Sequence, residues 1–140
     1  MLKFDKIIVY SDGASRGNPG QAAIGFMVAK EDGSLLYEKG ERIGLDTNNV
    51  AEYKALIAAL RIAKNYTDKE VVCYSDSKLM VSQLNGDFKV KKPHLKKLRE
   101  MALEIAGQFE TVRFLNVRRE DKNIPLVDKL ANMALDSNRN

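Results

Sequence analysis

The sequence predicts a mixed α/β domain, and three observations carry that expectation. A β-branched run near the start is followed by two further strand-like segments set off by strong turn chemistry. From Val50 onward the apolar residues switch to helical spacing. Beyond that, short apolar runs alternate with helical stretches, the pattern of strand–helix–strand units.

Taken in order, Ile7-Ile8-Val9-Tyr10 reads as a buried strand that ends at Ser11-Asp12-Gly13. Gly17-Asn18-Pro19-Gly20 is turn chemistry, and a second strand follows over about Ala22 to Ala29. Asp32-Gly33 closes a hairpin to a third strand through Leu35-Leu36-Tyr37, giving an antiparallel meander. Val50, Tyr53, Ile57 and Leu60 then mark one face of a helix. Val71-Val72-Cys73-Tyr74 is a fourth strand, and a helix through Leu79, Met80 and Leu84 stops near Asn85-Gly86. Another helix begins near Pro93 and runs to about Gly107. Thr111–Val117 is the last strand, and Pro125 suits the first turn of a final helix carrying Val127, Leu130, Ala131 and Ala134. The order is β-β-β-α-β-α-α-β-α. Right-handed crossovers then give a mixed five-stranded sheet with helices on its faces.

Bulk properties narrow the class. The chain has 140 residues, 44% hydrophobic and 30% charged, which suits one compact domain over 1–140 and argues against disorder. No apolar run approaches the roughly 20 residues that span a bilayer, and Met1-Leu2-Lys3-Phe4-Asp5-Lys6 lacks the zones of a secretory signal. Cys73 is the only cysteine, so no intrachain disulfide forms and a reducing, cytoplasmic setting is expected. The net charge of +4 is compatible with a polyanionic partner without requiring one. Lys89, Lys91, Lys92, Lys96, Lys97 and Arg99 cluster around His94, either as a solvated basic face or as a phosphate-contacting patch.

Four acids stand out by position. Asp12 is placed at the end of the first strand and Asp76 at the end of the fourth. If those strands are parallel neighbours, both carboxylates emerge at one sheet edge, where open α/β sheets bind ligands. Glu52 is placed in the first turn of the long helix, and Asp128 in the first turn or so of the last one. Each has a plain structural alternative. Asp12-Gly13 makes a turn, Glu52 closes a capping box on Asn49, Asp76 caps the helix near Ser77, and Asp128 complements a helix dipole. As a group they call for something else, because crowded carboxylates repel unless a cation neutralises them. Hard oxygen donors suit Mg²⁺ or Mn²⁺, and no Cys/His cluster competes for a softer metal.

Tyr10-Ser11-Asp12-Gly13-Ala14, Thr47-Asn48-Asn49-Val50-Ala51-Glu52-Tyr53, Tyr74-Ser75-Asp76-Ser77 and Val127-Asp128-Lys129-Leu130-Ala131-Asn132 resemble the successive motifs of type 1 ribonuclease H. They come in the family's order, and the resemblance spans about residues 5 to 136. It implies a ribonuclease H-like fold with strand order 3-2-1-4-5. It further implies that Asp12, Glu52, Asp76 and Asp128 are catalytic metal ligands for two Mg²⁺ ions, with Mn²⁺ a possible substitute. In that family Asp12 would bridge the ions. Asp128 would serve the one activating the attacking water, and Glu52 and Asp76 the one facing the leaving 3′ oxygen. The implied activity is endonucleolytic hydrolysis of the RNA strand of RNA–DNA hybrids, leaving 5′-phosphate and 3′-hydroxyl ends.

A hybrid is told from DNA by 2′-hydroxyls in a wide, shallow minor groove, and short amides can both donate to and accept from them. Asn48 and Asn49 match the family's groove-contacting pair, with helix capping as their other role. The same resemblance implies that Gly13 would let the RNA backbone approach closely and that Thr47 would contact the DNA phosphate backbone, with Asn18, Ser77 and Lys78 as further candidates. Three features depart from the family pattern. The long basic, Trp-containing insertion of many members is replaced by a short link, Asp87 to Lys92, making this a compact form. The loop before Asp128 holds Arg118 and Arg119 where members often carry a histidine. These arginines can assist electrostatically but cannot act as bases, and His94 reads as a surface residue. Finally, Asn123 and Asp128 stand five positions apart, one more than the usual family spacing. Rival readings are a nuclease for double-stranded RNA, a silent hybrid-binding module, and a small α/β protein whose acids cap helices. A monomer with no obligate protein partner is expected.

Overall fold

The computed structural model describes residues 3–137. The elements are β1 (Lys6–Gly17), β2 (Gly20–Lys30), β3 (Leu35–Asp46), α1 (Asn48–Ala63), β4 (Glu70–Ser75), α2 (Lys78–Leu84), α3 (Pro93–Ala106), β5 (Thr111–Asn116) and α4 (Ile124–Asp136). The element order is the expected one, and the sheet order is β3-β2-β1-β4-β5. β1, β2 and β3 form the antiparallel meander, while β1–β4 and β4–β5 are parallel.

Alternation along the strands splits the core into two layers. On one face Ile7, Val9, Ile24, Phe26 and Val28 pack against α1, α2 and α3 in the main core. On the other, Ala23 and Met27 meet Ala131, Leu135, Ile124 and Val127 of α4. Helices therefore cover both faces. The long helix is bounded by Thr47, whose hydroxyl accepts the Val50 N–H at 3.3 Å. Gly86, at φ +84°, turns the chain away from α2.

The strands of the meander are longer than the sequence pattern suggested. β1 does not end at Asp12 but continues to Gly17, because β2 keeps pairing with it after β4 has left. β3 runs on past Tyr37 to Asp46 through the charged pairs Glu38-Lys39 and Glu41-Arg42 on an edge strand, a pattern that hides a strand from an apolarity search. Among the described residues, no helix is long and apolar enough to cross a membrane.

Candidate active site

The site begins where two parallel strands part. The last β1–β4 pair is Tyr10↔Tyr74, and β4 ends at Ser75. Asp12 lies two residues beyond Tyr10 and shares its face, the face toward α4. Asp76 lies two residues beyond Tyr74. Asp12 is buried, 4% exposed, and stands across from Gly25 of β2.

Glu52 comes from the second turn of α1, since Asn48 is the first helical residue and the first turn holds no acid. The capping-box reading therefore fails: Thr47 caps this helix, and neither Asn48 nor Asn49 does. Glu52 instead accepts the Gly13 N–H on its Oε1 at 2.9 Å. A Cβ on Gly13 would lie 2.3 Å from the Ala51 carbonyl carbon, so this glycine is needed to let α1 land on β1. That reason differs from the close RNA approach expected of it.

Asp76 does not cap α2. Ser77 does, accepting the Met80 N–H at 3.2 Å, while its own N–H donates to Ser75 Oγ. Asp128 is the fifth residue of α4, just past its first turn, and its carbonyl accepts from Asn132 Nδ2 at 3.0 Å.

One carboxylate oxygen from each of Asp12, Glu52 and Asp76 lies within 4.8 Å of the others. Burial, then the charges of Asp76 and Asp128, push the Asp12 carboxyl up to about 7. Burial, then Asp12 and Asp76, hold Glu52 well above the usual carboxylate range, with the Gly13 N–H acting the other way. Burial also raises Asp76, opposed by the Arg119 guanidinium 3.9 Å away. Three carboxylates that resist ionisation are a donor set that a hard divalent cation would relieve. The softer donors are elsewhere: Cys73 is buried in the core and His94 is exposed on α3.

Asp12, Glu52 and Asp128 open into a cleft of about 440 Å³ whose walls include Gly13, Ser15, Asn48, Arg119 and Asn132. Asn48 is thus on the cleft, with its backbone N–H donating to Asn18 Oδ1 at 3.0 Å. Asn49 is half-buried beside it, and Lys78 is exposed at the start of α2. Of the two loop arginines only Arg119 borders the cleft, and Arg118 is exposed outside it. Part of the basic stretch lines a separate cleft of about 380 Å³, with Phe88, Lys89, Lys96 and Arg99 among its walls.

Ser15 and Asn132 are cleft residues that the sequence reading missed. Asn132 was recoverable, because position i+4 from Asp128 lies on the same helix face. Ser15 required knowing that β1 continues past Asp12.

An acidic cluster at the parting of the first and fourth strands of a 3-2-1-4-5 sheet defines a protein of the ribonuclease H-like class. Residues 10–134 match the family model described as reverse transcriptase-like. The chain is 40% identical over 131 residues to ribonuclease HI of Halobacterium salinarum, covering 94% of this chain and 65% of that protein. It is 43% identical over 133 residues to a bifunctional protein of Mycobacterium tuberculosis, covering 94% of this chain and 36% of that one. The chain therefore spans less than two thirds of the length of these curated relatives. The crystal structure of RNase H1 from Halobacterium salinarum superposes with a TM-score of 0.89 at 41% identity, covering 94% of this chain and 98% of that one. LC11-RNase H1 in complex with an RNA/DNA hybrid superposes at 0.85 with 40% identity, covering 93% and 96%. This chain belongs to the type 1 ribonuclease H family, in a compact form in which residues 85–92 join α2 to α3.

Proposed function

We propose that this protein is an endonuclease that hydrolyses the RNA strand of RNA–DNA hybrids, leaving 5′-phosphate and 3′-hydroxyl ends. The observation that carries this reading is the acidic cluster at the parting of β1 and β4, in a chain 40% identical to a ribonuclease H1 described in complex with such a hybrid. Residues 1–140 are read as one catalytic domain acting as a monomer. The buried free thiol of Cys73 suits a reducing cytoplasm.

The donor set fits Mg²⁺, with Mn²⁺ as a substitute, and Asp12, Glu52, Asp76 and Asp128 are the residues that would hold two such ions. When bound, such ions polarise the scissile phosphate, favour deprotonation of the attacking water and stabilise both oxygens of an in-line displacement. The chain's own residues do the rest. Asp12 supplies a central negative charge, buried where water cannot screen it. The Gly13 N–H fixes the Glu52 carboxylate in one orientation. Arg119 places the cleft's cation beside Asp76, where it can balance charge as substrate phosphate comes and goes. Asn48, on the cleft wall with its backbone N–H bonded to Asn18 Oδ1, and Asn49 next to it are the amides we assign to the 2′-hydroxyls of the minor groove.

Incubation with labelled hybrid, duplex RNA, duplex DNA and single-stranded RNA, with and without Mg²⁺, tests this. Mg²⁺-dependent cutting of the hybrid's RNA strand is expected, with duplex DNA and single-stranded RNA left intact. Preferential cutting of duplex RNA would assign a different nuclease. Binding without cutting would make the protein a hybrid-binding module.

A further inference from the structure

Asp128 reaches the site by a different route from the other three acids. Asp12 and Asp76 extend from paired strands and Glu52 is tied to β1 by the Gly13 N–H, but Asp128 rides on α4, on the opposite face from α1. The turn of α4 that carries it rests on bare backbone. A Cβ on Gly25 would lie 2.1 Å from the Val127 carbonyl oxygen and 2.9 Å from the Ala131 nitrogen. A Cβ on Gly40 would lie 2.1 Å from the Leu130 carbonyl oxygen. These contacts bracket Asp128 in sequence. Gly25 is also the direct cross-strand partner of Asp12.

Neither glycine has a positive φ, so backbone conformation does not require glycine at either place. The close approach of α4 does. Beyond that turn, Arg42 donates to the carbonyls of Ala134 at 2.9 Å and Leu135 at 2.6 Å, and Arg16 pairs with Asp136 at 2.5 Å. A register shift in the β2–β3 ladder precedes Arg42's partner Ala23, the kind of irregularity that re-aims a side chain.

We propose that Gly25 and Gly40 are positioning residues for Asp128: by presenting no side chain they set the height of α4 above the sheet and bring this carboxylate down to Asp12. The proposal rests on the reading of the four acids as the cation-binding set. Adding a methyl at either glycine forces α4 outward by about 1 Å, a displacement that at a positioned group costs roughly 10²-fold in rate.

The test combines Mn²⁺ titration by calorimetry with steady-state cleavage of a hybrid, using the full chain. Gly40→Ala is the principal variant, and Gly25→Ala, at the position directly across from Asp12, is the second. With the circular dichroism of the native fold retained, each should lose about tenfold or more in Mn²⁺ affinity and in kcat, with KM little changed. Asp128→Glu, one methylene longer, should lose a similar factor in the native background yet recover activity in the Gly40→Ala background, where the helix stands further off. Wild-type binding and kcat in Gly40→Ala would overturn the proposal, as would absence of rescue in the double variant. If both alanine variants fail to fold, Asp128→Glu alone decides: a loss supports the set height, and unchanged Mn²⁺ affinity and kcat overturn it. A native protein that binds Mn²⁺ but cuts no hybrid would defeat the proposed activity, while the titrations would still judge the glycines.

Discussion

Asp12 and Asp76 stand level with each other, each two residues past Tyr10 and Tyr74, the last paired residues of adjacent parallel strands. The two tyrosine rings stack beneath them, centroids 5.1 Å apart and planes 19° from parallel. The strands are held together up to the stack and part above it. The carboxylates are thus brought to one place by backbone register, and not by attraction to each other.

That arrangement is costly when no cation is bound, and the cost depends on pH. Asp12 has a folded pKa of about 7, against an unfolded value near 3.9. Between those values the folded state holds a proton that the unfolded state has lost, so stability falls as pH rises through that window and levels off above it. Glu52 acts in the same direction. Asp32 and Asp68 are shifted the opposite way, so their effects fall below about pH 4. Urea unfolding in chelator should show lower stability at pH 8 than at pH 5, by on the order of 2–3 kcal/mol at most for Asp12. Mg²⁺ should restore more stability at pH 8 than at pH 5. A metal-free protein that is more stable at pH 8 would contradict the raised carboxyls.

Thr47 and the asparagines after it should separate cleanly. Thr47→Ala removes the cap of α1 and should cost about 0.5–2 kcal/mol in denaturant unfolding. Asn48→Ala with Asn49→Ala removes no cap, and the bond from Asn18 goes to a backbone N–H that alanine keeps. That double variant should stay within roughly 0.5 kcal/mol of the native stability while losing hybrid cleavage through KM or kcat. Activity that tracks only the folded fraction would remove the asparagines from substrate recognition.

His94 is the only histidine in the chain and an inviting candidate for a general base. It is the second residue of α3, exposed among lysines, and not a wall of the acidic cleft. His94→Ala should leave the pH profile of kcat unchanged, with at most a small rise in KM. A large kcat loss in a folded variant, recovered by added imidazole, would place α3 against the acids and contradict this geometry.

Much of this was legible in the sequence, and what was not has definable causes. The element order followed from periodicity and turn residues, because buried strands and helices leave regular apolar patterns, and the grouping of Asp12, Glu52 and Asp76 followed from their places in that order. The continuation of β1 did not follow. Past Tyr10 the strand reads Ser11-Asp12-Gly13-Ala14-Ser15, polar and small, and only its pairing with β2 keeps it extended. The cap of α1 was misplaced because Thr47, Asn48 and Asn49 are all competent caps, and only the backbone path selects Thr47. The reasons for Gly13, Gly25 and Gly40 are tertiary: each is fixed by a helix arriving from a distant part of the chain.

The central claim is that these carboxylates act together to cut the RNA strand of a hybrid, and Asp12 is the residue they share. The most direct measurement compares the native chain with Asp12→Asn on a hybrid carrying a labelled RNA strand, in Mg²⁺, with thermal unfolding recorded in chelator. The native chain should cut the RNA. Asp12→Asn should fall by about 10²-fold or more, while its metal-free melting temperature stays level or rises, because one of several crowded charges has gone. A variant that cuts at a near-native rate, or that loses activity only because it no longer folds, would contradict the account.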